Sequence, residues 1–228
     1  MTSRLEFRSQ TDEGSATQDV RFTEWLAGLK TSGSNLLVTG DVPKETSAAF
    51  SRTLFGQGRR TRVLALTNPT TLDAVSHLPV GLDTPKTRVF DRRTEYRASM
   101  SDSANEAALE LDRETFRSEL ISAISYYDDR NDGFAPAELR LGIDSVEVLS
   151  GGDDLVSLTQ FLRGLTAIVR GVRGMAHYHV RVPDDDPLVE ELSPLFDARI
   201  ELRKRPGLAE QRWHVPDLGE TTHWVELS

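Results

Sequence analysis

The 228-residue sequence contains no cysteine. That excludes disulfides, thiol nucleophiles and cysteine-ligated zinc. Lysine is nearly as scarce. Lys30, Lys44, Lys86 and Lys204 are the only lysines among 27 basic residues, and the remainder are arginine. No stretch approaches the ~18 consecutive apolar residues that span a bilayer. The N-terminus carries acidic and polar residues where a signal peptide would have an apolar core. A soluble, cytoplasmic protein with no membrane contact is expected. With 36 acidic residues the net charge is -9, which opposes general affinity for nucleic acid, because that affinity rests on clustered cations releasing counter-ions. An acidic, lysine-poor, arginine-rich chain fits either a salt-adapted organism or GC-rich coding.

Residues arranged for acid–base chemistry are missing too. Glu190-Glu191 and Asp153-Asp154 are adjacent pairs of the kind found at helix starts and on solvated faces. His77, His214 and His223 have no serine or aspartate in a triad arrangement. No catalytic residue and no metal site is assigned.

What the chain does contain is a buried-strand pattern, Leu36-Leu-Val-Thr39, a loop opening at Gly40, and a helix running through Phe50 and Leu54 to Gly56. In a nucleotide-binding domain this is the place of the phosphate loop, whose pattern is Gly, four residues, Gly, Lys and Ser or Thr. Counted from Gly40, the second glycine position holds Glu45, the lysine position Thr46 and the hydroxyl position Ser47. The second glycine lets backbone N–H groups close around phosphate, and the lysine brings a positive charge. A carboxylate at the glycine position repels polyphosphate, and Lys44 comes two positions early, just after Pro43. The expectation is a nucleotide-binding fold whose phosphate site has been lost. Gly40, Lys44, Thr46 and Ser47, with Asp144, would line its vestige.

Residues 1–16 read as a flexible tail, and 17–228 as one domain. A first helix over 17–31 would present Val20, Phe22, Trp25, Leu26 and Leu29. Apolar runs at 62–67 and 87–91 follow, with a short helix at 70–77 between them and a polar, irregular stretch over 92–104. The helix over 104–127 buries Ala108, Leu111, Phe116, Leu120, Ile124 and Tyr127. Asp128–Gly133 is an acidic loop without the alternating oxygen ligands and closing glutamate of a calcium hand. The strand over 139–143 closes on Asp144-Ser145, where a P-loop enzyme would order magnesium, although Asp144 also suits a cap on the next turn. A helix over 154–173 carries Leu158, Leu162, Leu165 and Val169 at helical spacing. The strand over 176–182 sets His177 and His179 on one face. With no third ligand in view, they read as polar residues of a half-buried strand. Asp184-Asp-Asp186 reads as a solvated loop ahead of Pro187 at a helix start, with the helix over 188–196. The runs 198–203, 211–215 and 222–227 read as an antiparallel meander, with Ile200 and Leu202 on one side and Arg199, Glu201 and Arg203 on the other. The strand–helix alternation from 35 to 182 predicts an α/β protein with a doubly wound, mostly parallel sheet and antiparallel C-terminal edge strands.

Leu36–Gly40 with Ser47, the run Leu139–Ser145, the helix after it and the strand near Asp197–Arg203 together resemble the RecA/KaiC-like ATPase family over roughly residues 17–227. The chain looks most like KaiC-related proteins of halophilic archaea, many of which lack an intact phosphate loop. The resemblance implies a RecA-like, three-layer αβα domain. In working members, the loop lysine and serine bind phosphate and magnesium, a strand-end aspartate orders magnesium, and a glutamate after the second strand activates water. Only Ser47 and Asp144 match here. Thr46 replaces the lysine, and the second strand runs into Leu66-Thr-Asn-Pro69 without a glutamate. Loss of the lysine removes charge stabilisation of the transition state, and loss of the base removes water positioning.

The leading expectation is a catalytically inactive regulatory or signalling protein, without cofactor, that binds a protein partner such as an active KaiC-like relative. Family members often form rings held partly by nucleotide, so a homo-oligomer is open to this chain without that support. A second reading is an ATP- and magnesium-binding protein or slow NTPase using Lys44 or Arg52. A third is a nucleic-acid-associated regulator using Arg59-Arg60-Arg62 or Arg199–Arg205, which the net charge disfavours.

Overall fold

The computed structural model describes residues 13–82, 84–94, 106–150 and 155–227. Its frame is a nine-stranded sheet in the order β3-β2-β4-β5-β1-β6-β7-β8, with β9 also on β7. Strands β1 (Ser34–Thr39), β2 (Thr61–Leu66), β3 (Thr87–Asp91), β4 (Leu139–Ile143), β5 (Met175–Val180) and β6 (Ala198–Arg205) run parallel. β7 (Leu208–Val215), β8 (Glu220–Thr221) and β9 (Val225–Glu226) close the sheet antiparallel. The α/β class, the mostly parallel sheet and the antiparallel tail are as the strand–helix alternation predicts.

Two layers of helix cover this sheet. α1 (Glu13–Ser32), α2 (Lys44–Phe55) and α3 (Ala74–His77) lie on one face, and α4 (Glu106–Arg130), α5 (Leu155–Gly171) and α6 (Pro187–Leu192) on the other. Strands β1, β2 and β4 are buried at every position, as expected of parallel strands covered on both faces. The period of two then sorts them. Leu37, Val63, Leu141 and Tyr178 face α4 and α5, while Leu36, Val38, Leu64 and Leu66 face α1–α3. On α4, Phe116, Leu120, Ile124 and Tyr127 are buried as the helical spacing requires. On β6, Ile200 and Leu202 are buried while Arg199, Glu201 and Arg203 are half-buried.

Several expectations need correction. α1 begins at Glu13, inside the stretch expected as tail, and its Val20 is 58% exposed while Phe22 and Leu29 are buried. Residues 1–12 of the expected tail, residues 95–104 of the expected irregular stretch and Asp153-Asp154 lie outside the described residues. The helix expected from 70 is only Ala74–His77, because Thr70 N–H and hydroxyl both donate to Asn68 and hold a turn there. α4 continues to Arg130, and the acidic stretch after it is a helix end. Gly133 N–H donates to Asp128 O, and Phe134 N–H to Asp128 Oδ1. β5 is almost entirely buried, not half-buried, because it lies mid-sheet under helices on both faces. No helix among the described residues is long and apolar enough to cross a membrane.

Arginine takes structural roles inside this frame. Arg62 is 1% exposed. Its guanidinium donates to the carbonyls of Gly56, Gly58 and Arg60, tying the turn between α2 and β2. Arg60 donates to Ala137 O. Arg199, Arg203 and Arg212 pair with Asp184, Glu210 and Glu201. Much of both expected basic clusters is therefore committed to internal carbonyls and carboxylates.

Candidate functional site

In an open α/β sheet, ligands bind at the carboxyl ends of the strands, where neighbouring strands send their connections to opposite faces. Here those neighbours are β1, which leads to α2, and β5, which leads to α6 on the other face. Gly40 N–H donates to Val182 O at 3.0 Å, joining the two strand exits. The Thr39 hydroxyl donates to Asp184 Oδ1 at 2.5 Å, and Arg199 to Asp184 Oδ2 at 2.6 Å. Val42, 5% exposed, packs with Leu36, Val38 and Phe50. The crevice is thus bridged by backbone and closed by Asp184, and one of its loop residues is committed to the core. Asp184 is therefore not the solvated loop residue expected, while Asp186 caps α6 by accepting from Leu188 N–H.

The loop itself is short. α2 begins at Lys44, and Thr46 and Ser47 N–H already donate back to Pro43 O. Half of the eight-residue phosphate pattern is therefore helix, because Pro43 suits the entry to a first turn. Gly40 has φ +121°, and a Cβ there would sit 2.2 Å from Leu202 O. The close approach of β6 suffices to require glycine. Lys44 Nζ donates to Thr70 O in the β2–α3 connection, and Arg52 to Ser76 O on α3, so both expected substitute cations are engaged in holding α2 to the α3 region. Thr46 lines a cleft of about 290 Å³ with Phe50, Ala209 and Leu227.

Ser47 and Asp144 both point into the protein. Ser47 is 4% exposed, and its Oγ shares a 2.8 Å hydrogen bond with His179 Nδ1. One turn along α2, Ser51 Oγ shares a 2.8 Å bond with His177 Nε2. Asp144 does not cap the turn after β4. Its Oδ1 accepts from Thr67 N–H at 2.6 Å and from the Thr67 hydroxyl at 2.8 Å, linking β4 to the exit of β2. His77, on α3, contacts the Thr71 hydroxyl at 3.4 Å. The ring atoms His77 Nδ1 and His179 Nε2 are buried with no hydrogen-bond partner.

Burial governs the charge states. It lowers His177 to about 3, with His77 and Arg140 adding to the effect. It lowers His77 to about 4, helped by Arg181, Arg52 and Arg93. His179 is held well below the ordinary range, again chiefly by burial. Burial raises the Asp144 carboxyl against the opposing bonds from Thr67, Thr71 and Asn68. It also raises Glu147, which accepts from the Ser145 hydroxyl and from Arg181 N–H. The imidazoles are neutral at pH 7, and the Ser47–His179 pair is enclosed under α2, away from any solvent-borne substrate.

Among the described residues, one set of side chains has metal-ligand proximity. Ligand atoms of Asp184, Glu201 and His214 lie within 4.8 Å of one another. The carboxylates already have partners. Thr39 and Arg199 take both oxygens of Asp184, and Glu201 Oε2 accepts from Arg212 and lies 2.9 Å from His214 Nε2. Burial acts to raise Glu201, but the bonds from Arg212 and His214 outweigh it and hold the carboxyl low. This is a balanced ion-pair network.

Residues 33–202 match a family of unknown function, DUF7504. The chain belongs to the DUF7504 family. The DUF7504 segment runs from the start of β1 into β6 and holds every residue of the Ser47, Asp144 and histidine cluster. The antiparallel tail, with Arg212 and His214, lies beyond it. No curated protein matches the chain.

Sequence reasoning set Ser47 at the end of a loop, where the structure has it inside α2, and it missed the partners of the two residues, His179 for Ser47 and Thr67 for Asp144. A signal for the serine–histidine pairs was there. Ser47 and Ser51 are four apart on a helix, a rise of ~6 Å. His177 and His179 are two apart on a strand, a rise of ~6.6 Å. The two spacings match.

Proposed function

We propose that this DUF7504 chain is a RecA/KaiC-like domain whose nucleotide site has been filled in, and that it acts in regulation or signalling by binding a protein partner, such as a working relative of the same fold. One observation carries the loss of the site: Ser47 Oγ, at the magnesium-side position, is bonded to the buried ring of His179. Magnesium needs that hydroxyl at the mouth of the loop. The place of the loop lysine holds Thr46, and the first turn of α2 carries Glu45, whose charge repels phosphate. β1 and β4, which ends just before Asp144, have a single strand, β5, between them, a spacing that suits a phosphate loop and a magnesium-ordering carboxylate opening on one edge. That arrangement supports the RecA-like part of the reading.

The test is calorimetric titration of pure protein with ATP and magnesium in high-salt buffer, beside Ser47→Ala. No heat at millimolar ATP is expected. Saturable binding that disappears in the variant would overturn the proposal, as would ATP turnover abolished by Ser47→Ala or Asp144→Ala.

A further inference from the structure

Among the described residues strand β3 is an edge of the sheet, and its only strand neighbour is β2. Edge strands of soluble proteins are normally blunted by lysine, proline, bulges or a covering element. β3 reads Thr87-Arg-Val-Phe-Asp91, pairs with β2 in unbroken register, and leaves Val89 37% exposed. The direction of its backbone follows from one bond. Arg92 N–H donates to Leu66 O on β2, so by the strand period of two Phe90 and Arg88 also turn their backbone groups toward β2. Val89 turns its N–H and C=O away from the sheet.

We infer that β3 pairs with β3 of a second copy, antiparallel, about a two-fold axis through Val89. The two Val89 residues exchange both N–H···O bonds, as an antiparallel hydrogen-bonded pair does. This register sets Arg88 opposite Phe90 of the second copy, in both directions. Arg88 already stacks on its own Phe90, with 5.4 Å to the ring centroid, so each ring gains a second cation on the same face. Asp91 falls opposite the neutral Thr87, so no like charges sit directly opposite each other, and the two Arg88 side chains are only diagonal neighbours. An isologous interface must be complementary to itself, and this five-residue strand meets that condition in hydrogen bonding and in charge. Beside it a groove of about 760 Å³ runs between Arg88 and Phe90 of β3 and Ser118, Ser122 and Tyr126 of α4. Tyr126, 57% exposed, stands at the groove and gives the second copy an apolar surface to cover. Each copy carries a net charge of -9, so salt that screens the mutual repulsion strengthens the pairing.

Sedimentation of the full chain at low and molar salt, from low to high micromolar protein, tests this. The mass is expected to rise from 25.4 kDa toward twice that value, at lower protein concentration in the higher salt. Val89→Pro is expected to remain monomeric with unchanged melting, because the Val89 N–H makes no bond to β2. The absence of native cysteine allows a second test that does not depend on the proline variant. The Cα atoms of a hydrogen-bonded antiparallel pair lie ~5.5 Å apart, within the ~4.4–6.8 Å span of a disulfide. Val89→Cys is therefore expected to give a covalent dimer on mild oxidation, well ahead of Val156→Cys, whose parent residue is 69% exposed on α5. A wild-type chain monomeric under all conditions, or cross-linking of Val89→Cys no faster than of Val156→Cys, overturns the inference.

Discussion

Ser47 Oγ and His179 Nδ1 lie 2.8 Å apart in the sealed layer between α2 and β5. One is the hydroxyl that a phosphate loop would present to magnesium, and the other is a neutral imidazole whose second nitrogen has no partner. The bond turns a position for ligand chemistry into a contact that holds α2 on the sheet. Ser51 and His177 repeat it one turn on.

The first prediction follows from that bond. Ser47→Ala leaves His179 with neither ring nitrogen satisfied. A buried polar group stripped of its partner costs ~1–3 kcal/mol, and each kcal/mol lowers the melting temperature of a chain this size by about 2–4 °C. Ser51→Ala should act in the same direction through His177. Thermal melting at neutral pH checks both, and unchanged melting of either variant would show that its pair contributes nothing.

Acid should destabilise the fold through the same layer. His177 and His77 are held at about 3 and about 4, and burial holds His179 well below its ordinary value too, against ~6.5 in an unfolded chain. Between those values the unfolded chain takes up protons that the folded one refuses. Stability from these imidazoles is full above pH ~6.5 and falls as pH drops toward 4. Removing one imidazole with His177→Gln should shrink the loss between about pH 7.5 and about pH 5 by about 2 kcal/mol. Urea titrations of both proteins at the two pH values measure it. An equal loss in the variant and the wild type would mean that His177 is protonated in the folded state.

The α/β class, the parallel sense of the sheet and its antiparallel tail follow from the apolar runs and their alternation with helices, whereas the strand order rests on pairings that no local pattern encodes. β1, β2 and β4 announce themselves as short apolar runs bounded by Gly40, Asn68 and Asp144, with Arg62 and Arg140 as the only charges inside them. The site was legible only as a damaged pattern. Where Ser47 and Asp144 turn depends on contacts far along the chain, 132 residues away for Ser47 and 77 for Asp144, and no local spacing encodes a sheet neighbour. The role of Arg62 was hidden for another reason. A charged residue in an apolar run reads as surface, yet the guanidinium folds back onto the carbonyls of its own turn.

Asp144 should respond to charge removal in the direction opposite to Ser47. Burial raises its carboxyl against the bonds that Thr67 supplies, so the ionised form is a cost at neutral pH and above. Asp144→Asn keeps an oxygen for Thr67 N–H and removes that charge. The variant should melt higher than the wild type near pH 8, and the gain should fade as pH drops through the raised carboxyl value, where the wild-type group becomes neutral by itself. Paired melting curves across that range decide it. A lower melting temperature for the variant at every pH would mean that Oδ2 has a strong donor in the folded protein.

Gly142 is the residue on which the histidine layer is seated. On β4 it lies under the ring of His177, and an added Cβ would come within 2.6 Å of His177 Nε2 and 2.6 Å of Phe55 Cζ. Neither neighbour can yield cheaply. Nε2 is the atom bonded to Ser51, and Phe55 meets the imidazole edge-on at 4.7 Å between centroids and is fully buried. Gly142→Ala should therefore cost the ~1–3 kcal/mol of an overpacked core together with part of the Ser51 bond. Adding Phe55→Leu should recover some of the loss, since it removes one of the two clashing groups. Gly28→Ala is the matching control. It sits inside α1 with nothing within 4 Å of the added carbon, so the same substitution should stabilise by ~0.5–1 kcal/mol through helix propensity alone. Opposite signs for the two alanines in urea denaturation would establish that the glycine of β4 is there to admit a ring, and equal signs would show that the imidazole has room to move aside.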